Sequence, residues 1–247
     1  MKKAITKTDL IVVLICCVLI LILSGAAGRA GRMRPKETMC AAKLGYWGQY
    51  WQAYVNDHNG LLLNDLHYAG VMESYYGDVK MLKCPSATKT TAEGVQIPFS
   101  CWQEDAVSSV TGAEKTYIGS YTFNAWCMTV VPDNRAYEYL WHTPYIAGAD
   151  MVPLLMDGGG RSMNTVPLPR DDPPEYEGAI GIGGDEEISR VCLNRHNGGI
   201  NILFLDYSVR KIGLKGLWEI DWSIYWRNHE TPEPIWPEWM SDFKDYR

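Results

Sequence analysis

A long apolar run near the N-terminus restricts what this 247-residue chain can fold into. Fourteen successive apolar residues extend from Leu10 to Leu23, and small residues carry the run on to Gly28. The nineteen residues from Leu10 to Gly28 would rise about 28 Å as a helix, close to the thickness of the hydrocarbon core of a bilayer. Basic residues flank the run on both sides, so the positive-inside rule gives no clean orientation. The run predicts a transmembrane helix, and it fits a removed secretory signal, a plain signal anchor or a short leader that is cleaved ahead of the helix.

The composition narrows the classes of function that the chain can have. Hydrophobic residues make up 47% of the chain, which is ample for the packed core of one large domain or two small ones. The formal net charge is −6, so the chain lacks the clustered positive charge that nonspecific nucleic-acid binding needs. The sequence also lacks the signature motifs of serine hydrolases, zinc proteases and nucleotide-binding enzymes. We therefore expect neither a nucleic-acid partner nor an enzymatic activity.

The first residues carry a family resemblance. The segment from Ile5 to Leu14 resembles the start of a mature type IV pilin or type II secretion pseudopilin, in which an apolar first residue precedes an acid at the fifth position. The resemblance implies that a leader, Met1 to Ala4, is cleaved between Ala4 and Ile5 and that the new N-terminus is methylated. It also implies that Asp9 acts in filament assembly by pairing with the free amine of a neighbouring subunit. Taken alone, Asp9 has the simpler role of capping the helix N-terminus.

A second apolar pattern follows the first. Four apolar residues recur at spacings of three, four and three residues, which predicts one stripe along a helix. They are Leu44, Trp47, Trp51 and Tyr54. Asn59 and Gly60 tolerate the left-handed backbone conformation and predict the end of that helix. We expect a transmembrane helix over residues 5–28, its continuation over 29–60, and a globular α+β head over 61–247 that ends in a Trp-rich segment.

A motif in the second half of the chain extends the resemblance. Nine residues separate His196 from Asp206, which resembles the His-x9-Asp-Gly motif of the planctomycete-type, prepilin-processing-associated family. Tyr207 stands where that motif has Gly, as in an aromatic-bearing subgroup. The stretch over residues 40–60 is also similar to the spine of these pilin-like proteins. The implied fold class is α+β, with a long N-terminal transmembrane and spine helix packed on a mainly antiparallel β head.

The resemblance also implies a function and a location. The function is that of a structural or accessory subunit of a type II secretion pseudopilus or a type IV pilus-like filament. The implied partners are other pilin-like subunits, the inner-membrane assembly machinery, the prepilin peptidase and membrane lipid. The implied location is a single pass of the inner membrane, with the N-terminus cytoplasmic and the head periplasmic or on a surface filament. The alternative is a solitary membrane-anchored binding protein of the cell envelope that uses a Trp-rich surface to bind glycans.

The residues around the His-x9-Asp motif predict a β-hairpin. Residues 197–199 read Asn-Gly-Gly and form a turn, and residues 200–205 form an apolar strand. A second short strand extends to Ile212. A Gly at the position of Tyr207 would suit a turn with positive φ, but a Tyr would be strained there, so we expect a different turn.

Three further patterns concern ligands and packing. His196 and Asp206 are too few to form a structural metal site, and the simpler role for both is to satisfy backbone groups at turns. The loop over residues 171–187 holds seven acids that could bind calcium, although a solvated acidic loop is the default, so no cofactor is expected. Trp218, Trp222 and Trp226 lie four residues apart and predict one helix that docks on the head.

Five cysteines follow the apolar run, and their spacing leaves fifteen choices of two bridges and one free thiol. We favour a bridge between Cys40 and Cys84, because it would staple the helix to the head. Cys101 and Cys127 each lie beside a Trp and form the second favoured pair, which leaves Cys192 free. The alternative is that these thiols are buried and reduced, as small apolar groups often are.

Overall fold

The computed structural model describes residues 7, 11–18, 29–90, 98–130, 137–159, 163–168, 171–179, 187–227 and 234–243, and within them the fold is α+β. One long helix, α1, spans Arg29–Asp57 and has 29 residues. Three helices of one turn follow: α2 (Tyr68–Val71), α3 (Glu73–Tyr76) and α4 (Ile224–Arg227). The strands are β1 (Trp102–Val107), β2 (Glu114–Gly119), β3 (Tyr121–Asn124), β4 (Pro153–Asp157), β5 (Asn164–Thr165), β6 (Gly199–Phe204) and β7 (Val209–Gly213).

Five of these strands form the central sheet, in the order β5-β3-β4-β6-β7. The pairing of β3 with β5 is parallel, and the other pairings are antiparallel. Tyr121 lies opposite Asp157 in the β3–β4 register, so the last residue of β4 is held at the centre of the sheet. Strands β1 and β2 form a separate antiparallel hairpin. All six residues of β6 are buried, because α1 lies across β6 and β7.

The apolar stripe on α1 faces the sheet, as its spacing predicts. Leu44, Trp47, Trp51 and Tyr54 are all buried. The Trp51 ring stacks on Phe123 of β3 with 5.3 Å between ring centroids. The helix ends at Asp57, and Asn59 and Gly60 adopt positive φ angles of 55° and 83°, as expected for a helix stop. Packing against the sheet therefore accounts for the apolar face of this helix.

The structure corrects the predicted membrane helix. Across the part of the chain that the structure describes, no helix combines the length and the apolar character needed to cross a bilayer. α1 is long enough, but charged residues occur along it. Residues 11–18 are helical, and the residues on either side of them, 8–10 and 19–28, lie outside the described part of the chain. The absence of such a helix among the described residues overturns the predicted fold class with its transmembrane and spine helix, the predicted membrane anchor, and the predicted single-pass inner-membrane location.

The predicted helix through three tryptophans is also wrong. Trp218 ends a 3-10 turn, Trp226 lies in α4, and Trp222 lies between these elements. All three side chains are nevertheless buried. The indole of Trp218 donates to the Asp171 carbonyl over 2.9 Å, and that of Trp222 donates to the Leu217 carbonyl over 2.7 Å. Separate hydrogen bonds to the backbone hold these rings in the core, so a regular helix is not needed to bury them.

The β6–β7 hairpin forms as predicted, but its turn differs from the expectation. Tyr207 has a φ of 67°, so it adopts the left-handed conformation of the Gly it replaces. Its half-buried ring packs against the core, and its backbone lies against Gly48 of α1. Asp206 supports the turn, because its Oδ1 accepts hydrogen bonds from the backbone and hydroxyl of Ser208. Packing against α1 therefore outweighs the local strain at Tyr207.

A buried carboxylate ties the β1–β2 hairpin to α3. Glu73 accepts hydrogen bonds from the Tyr117 hydroxyl over 2.6 Å, from the Ser108 hydroxyl and from the Lys115 ammonium. Burial raises the pKa of Glu73, but the hydrogen bonds from Lys115, Ser108 and Tyr117 outweigh that effect and lower the pKa to about 2. The ionised form is thus the one that the fold stabilises.

This contact predicts an acid-sensitive contribution to stability. Because the folded pKa of Glu73 lies below its ordinary value of 4.5, its carboxylate stabilises the fold above about pH 4.5, and that contribution is lost as the pH falls toward 2. We expect Glu73→Gln to lower the free energy of unfolding by about 1–3 kcal/mol at neutral pH and by much less at about pH 2–3. Urea titrations of both proteins at the two pH values measure the difference. The matched control is Glu114→Gln, an exposed acid of the same hairpin, and an equal loss at both pH values in Glu73→Gln would contradict the prediction.

Candidate functional site

Four side chains that can bind metals converge beneath α1. Cys40 comes from α1, and Cys84 follows the 3-10 turn Val79–Leu82. Asp157 ends β4, and His196 lies in the turn that precedes β6. One ligand atom from each residue lies within 4.8 Å of all the others. We call these four residues the buried cluster. Within the described residues it is the one group of three or more such side chains that converges in this way.

Local structure aims each side chain inward. The His196 N–H donates to the Gly199 carbonyl over 3.1 Å, and positive φ angles at Asn197 and Gly198 make this tight turn possible. The Cys84 N–H donates to the Ser120 hydroxyl over 2.8 Å. These contacts position the imidazole and the thiol before any ligand is considered.

The distances inside the buried cluster are short. Sγ of Cys40 lies 3.2 Å from Oδ2 and 3.4 Å from Oδ1 of Asp157. Nε2 of His196 lies 3.0 Å from Oδ2 of Asp157 and 3.4 Å from Sγ of Cys84. Nδ1 of His196 has no partner among the described residues, so the ring is held through Nε2. All four side chains are at most 1% exposed.

An arginine lies directly behind the cluster. Arg195 is fully buried, and its Nη1 lies 3.3 Å from Oδ1 of Asp157. The other guanidinium contacts are with the backbone carbonyls of Pro98, Ser100 and Ser120, at 2.6–3.2 Å. The Asn201 N–H donates to Oδ2 of Asp157 over 3.0 Å. Asp157 is therefore the central group, because the side chains of Cys40, His196 and Arg195 all contact its carboxylate.

The charges inside the cluster shift its pKa values. Burial raises the pKa of Asp157, but His196, Arg195 and the Asn201 N–H outweigh this and hold it well below its usual range. Burial lowers the pKa of His196, while hydrogen bonds to Asp157 and Cys84 raise it to about 9. Burial raises the pKa of Cys40, and its neighbours Cys84 and Asp157 raise it further. Burial also raises the pKa of Cys84, but hydrogen bonds from Cys40 and His196 reverse that effect and lower it.

The arrangement differs from that of a catalytic triad. In a triad, a histidine contacts the nucleophile through one ring nitrogen and the carboxylate through the other. Here the same nitrogen, Nε2 of His196, faces both the Cys84 thiol and Asp157. Four convergent donors around one point are instead the arrangement that binds a metal ion.

The structure separates the two residues of the sequence motif. His196 joins the cluster, whereas Asp206 is exposed and supports the turn after β6. Both side chains were expected to satisfy backbone groups at turns. Asp206 does so, because it accepts from the Ser208 N–H. His196 instead contacts the side chains of Asp157 and Cys84. The carboxylate that His196 contacts is Asp157, which is 39 residues earlier in the chain. Asp157 was not identified as functional from the sequence, because only the sheet brings it to His196. Arg195 is adjacent to His196 in the chain, but its contact with Asp157 likewise depends on the sheet.

The cysteines are all free in the structure. Cys40 and Cys84 lie close together in the buried cluster, but they are not bonded to each other. The thiol of Cys101 contacts the Ala87 carbonyl, and that of Cys127 contacts the Pro153 carbonyl. Cys192 is buried as well. The two favoured bridges stay predictions for chemical mapping.

The other predicted site residues either lie outside the described residues or do not join the cluster. Ala4, Ile5 and Asp9 lie outside the described residues, as does most of the predicted span 5–28. In the acidic loop, Asp171 accepts hydrogen bonds from the backbone of Leu168 and Ile188, and Glu187 pairs with Arg190 over 2.7 Å. Among the described acids of this loop, no three converge in the way that the residues of the buried cluster do.

A second feature of functional interest is a helical stretch with apolar side chains on its surface. Residues 11–18, which we call the apolar arm, are helical and exposed. The exposed fractions of its large apolar side chains are between 46% and 62%. These side chains are Ile11, Val12, Val13, Leu14, Ile15 and Val18. The remaining two residues, Cys16 and Cys17, are also exposed.

Comparison with known proteins provides no relative from which a function could be transferred. No protein-family model matches the sequence, and no similar protein was found among curated proteins or solved structures.

Proposed function

We propose that this chain is a structural subunit of a type II secretion pseudopilus or a type IV pilus-like filament, assembled through its apolar arm. The observation that carries the proposal is the exposure of large apolar side chains along residues 11–18. The resemblance of residues 5–14 to the start of a pilin supports the same function.

The apolar arm carries apolar side chains on all sides of its helix. Eight residues make just over two helical turns, so their side chains point in all directions around the axis. A helix that is apolar on all sides is stable only when it is buried. Burial stabilises by about 25 cal/mol per Å² of apolar surface removed from water, and equivalent arms of neighbouring copies can bury each other. The proposal therefore places the arms at the centre of an assembly and the α+β heads outside it.

The alternative of a glycan-binding protein lacks a comparable observation. Sugar rings stack on exposed aromatic faces, but the ten Trp side chains of this chain are buried or half-buried. Eight of them belong to the buried core, and the remaining two, Trp236 and Trp239, pack against it. The Trp-rich composition thus supports the core, and no Trp side chain of this chain is more than half-exposed.

The test compares two charge insertions at equally exposed positions. Leu14 in the arm is 62% exposed, and Val107 on the head is 63% exposed. A carboxylate buried in an apolar interface without a partner costs several kcal/mol, and about 1.4 kcal/mol corresponds to a tenfold change in association. We expect Leu14→Glu to weaken self-association of the full chain at least about tenfold, as measured by analytical ultracentrifugation. Val107→Glu should associate like the wild type.

Cross-linking identifies which surface mediates the association. Cys16 and Cys17 are exposed, whereas the other five cysteines are buried. A bismaleimide reagent should therefore produce dimers and higher oligomers that disappear in the double variant Cys16→Ser/Cys17→Ser. A monomeric wild-type chain, or association that Leu14→Glu and Val107→Glu weaken equally, would refute the proposed role of the arm.

A further inference from the structure

The buried cluster has the donor set of a closed zinc site. It offers two thiols, one imidazole nitrogen and one carboxylate oxygen, from Cys40, Cys84, His196 and Asp157. Structural zinc sites in proteins use four such ligands in a tetrahedron. Thiolates also select thiophilic ions such as zinc over magnesium or calcium, which prefer oxygen ligands.

Three of the six distances between ligand atoms lie near the edge lengths of a zinc tetrahedron. Zinc lies about 2.3 Å from a thiolate sulfur and about 2.0–2.2 Å from nitrogen or oxygen, so neighbouring ligand atoms lie about 3.3–3.8 Å apart. In the structure, the sulfur of Cys84 lies 3.4 Å from Nε2 of His196. The sulfur of Cys40 lies 3.2 Å from Oδ2 of Asp157, and that oxygen lies 3.0 Å from Nε2 of His196. The other three pairs of ligand atoms lie within 4.8 Å of one another, so shifts of up to about 1 Å would complete the coordination shell.

The surrounding charges also fit a divalent cation. With the ion bound, two thiolates and the Asp157 carboxylate would carry three negative charges in a region that is closed to solvent. A zinc ion and Arg195 together supply three positive charges, and His196 binds metals as a neutral ring. Isolated charges are costly to bury, so this balance favours occupation by the metal. Arg195 and the Asn201 N–H also hold Asp157 from behind, as outer groups commonly hold ligands in metal sites.

From these observations we propose that Cys40, Cys84, Asp157 and His196 together bind one Zn(II) ion, which ties α1 to the central sheet. The ligands come from four separate parts of the chain, so the ion would link the long helix, the segment after the first 3-10 turn, the end of β4 and the β6 turn. Binding forms the four metal–ligand bonds and releases the protons that the thiols and the His196 imidazolium hold before the metal enters. All four ligands lie outside the apolar arm, so this test is independent of the arm.

The first measurement uses the full-length wild-type chain, purified in the presence of a reductant and without a chelator. Elemental analysis should find about one zinc per chain. After zinc is removed by a chelator, addition of Co(II) should produce a thiolate-to-cobalt charge-transfer band and the strong visible bands of tetrahedral Co(II). Removal of the zinc should also lower the thermal unfolding temperature, and addition of Zn(II) should restore it.

Matched variants then locate the site. Cys84→Ser should lose the zinc and the cobalt charge-transfer band. Cys192→Ser replaces a buried cysteine outside the cluster and should retain both. Because Cys84→Ser could unfold the chain, Asp157→Asn provides a second variant, and circular dichroism reports whether each is folded. In a folded Asp157→Asn protein we expect weaker zinc binding and a shifted cobalt spectrum.

Three results would overturn the proposal. One is a folded, reduced wild-type chain that contains no zinc and gives no thiolate-to-cobalt band. Another is zinc that stays bound in folded Cys84→Ser, which would place the ion elsewhere. The third is a Cys40–Cys84 disulfide in peptide maps of the native protein, because a disulfide would consume both sulfur ligands.

Discussion

Replacing Asp157 by Ala is expected to lower the free energy of unfolding by about 3–5 kcal/mol, because the change leaves Arg195 as a buried cation without its carboxylate. Asp157 and Arg195 are both fully buried, 3.3 Å apart. The substitution also removes the acceptor of the Asn201 N–H and the partner of His196. Urea denaturation in the presence of a chelator measures this loss without a contribution from bound metal. Asp157→Asn keeps the volume but not the charge, so we expect a smaller loss of stability from it.

Asp206 provides the control for this change. It is the acid of the His-x9-Asp motif, but its side chain is exposed. It accepts hydrogen bonds from Ser208 within its own turn. We expect Asp206→Ala to cost about 0.5–1.5 kcal/mol. Equal costs for Asp157→Ala and Asp206→Ala would show that the buried ion pair is not what holds this part of the sheet together.

A second large effect is expected at the interface between α1 and the sheet. Trp51 is fully buried and stacks on Phe123, with ring planes 14° apart. Truncation of a large aromatic side chain in a core typically costs about 3–5 kcal/mol, because it removes packing and leaves a cavity. We therefore expect Trp51→Ala to lower the urea midpoint strongly and to weaken the near-ultraviolet circular dichroism of the packed aromatic residues.

Tyr46 lies on the same helix and is 53% exposed, so Tyr46→Ala controls for the loss of an aromatic residue from α1. Surface substitutions of this kind usually change stability by no more than about 0.5 kcal/mol. Similar losses in Trp51→Ala and Tyr46→Ala would mean that burial against the sheet does not stabilise the helix. A large loss in Trp51→Ala alone would support the packing described above.

Local sequence patterns anticipated several elements of this fold. The spacing of Leu44, Trp47, Trp51 and Tyr54 identified the buried face of α1, because an apolar stripe at helical period must face a core. The residues Asn197 and Gly198 identified the turn before β6, because both adopt positive φ readily. Each of these predictions depends on residues that are close together in the chain.

Other expectations failed where contacts between distant residues decide the outcome. The four-residue spacing of Trp218, Trp222 and Trp226 suggested a helix. Two of these indoles instead donate to separate backbone carbonyls, those of Asp171 and Leu217. Tyr207 was expected to avoid a left-handed turn, but its packing against α1 stabilises that conformation. The apolar run predicted a membrane span, whereas the described helices do not include one that is long and apolar enough.

For the candidate site, the sequence by itself determined the hairpin that follows His196, and it predicted that Cys40 and Cys84 lie close together. Only the tertiary structure decided that Asp157 and Arg195 join them and that Asp206 does not. The physical reason is that ligands separated by 39 to 73 positions have no sequence period or spacing in common. They meet because the order of strands in the sheet places the end of β4 beside the turn before β6, directly beneath Cys40 of α1.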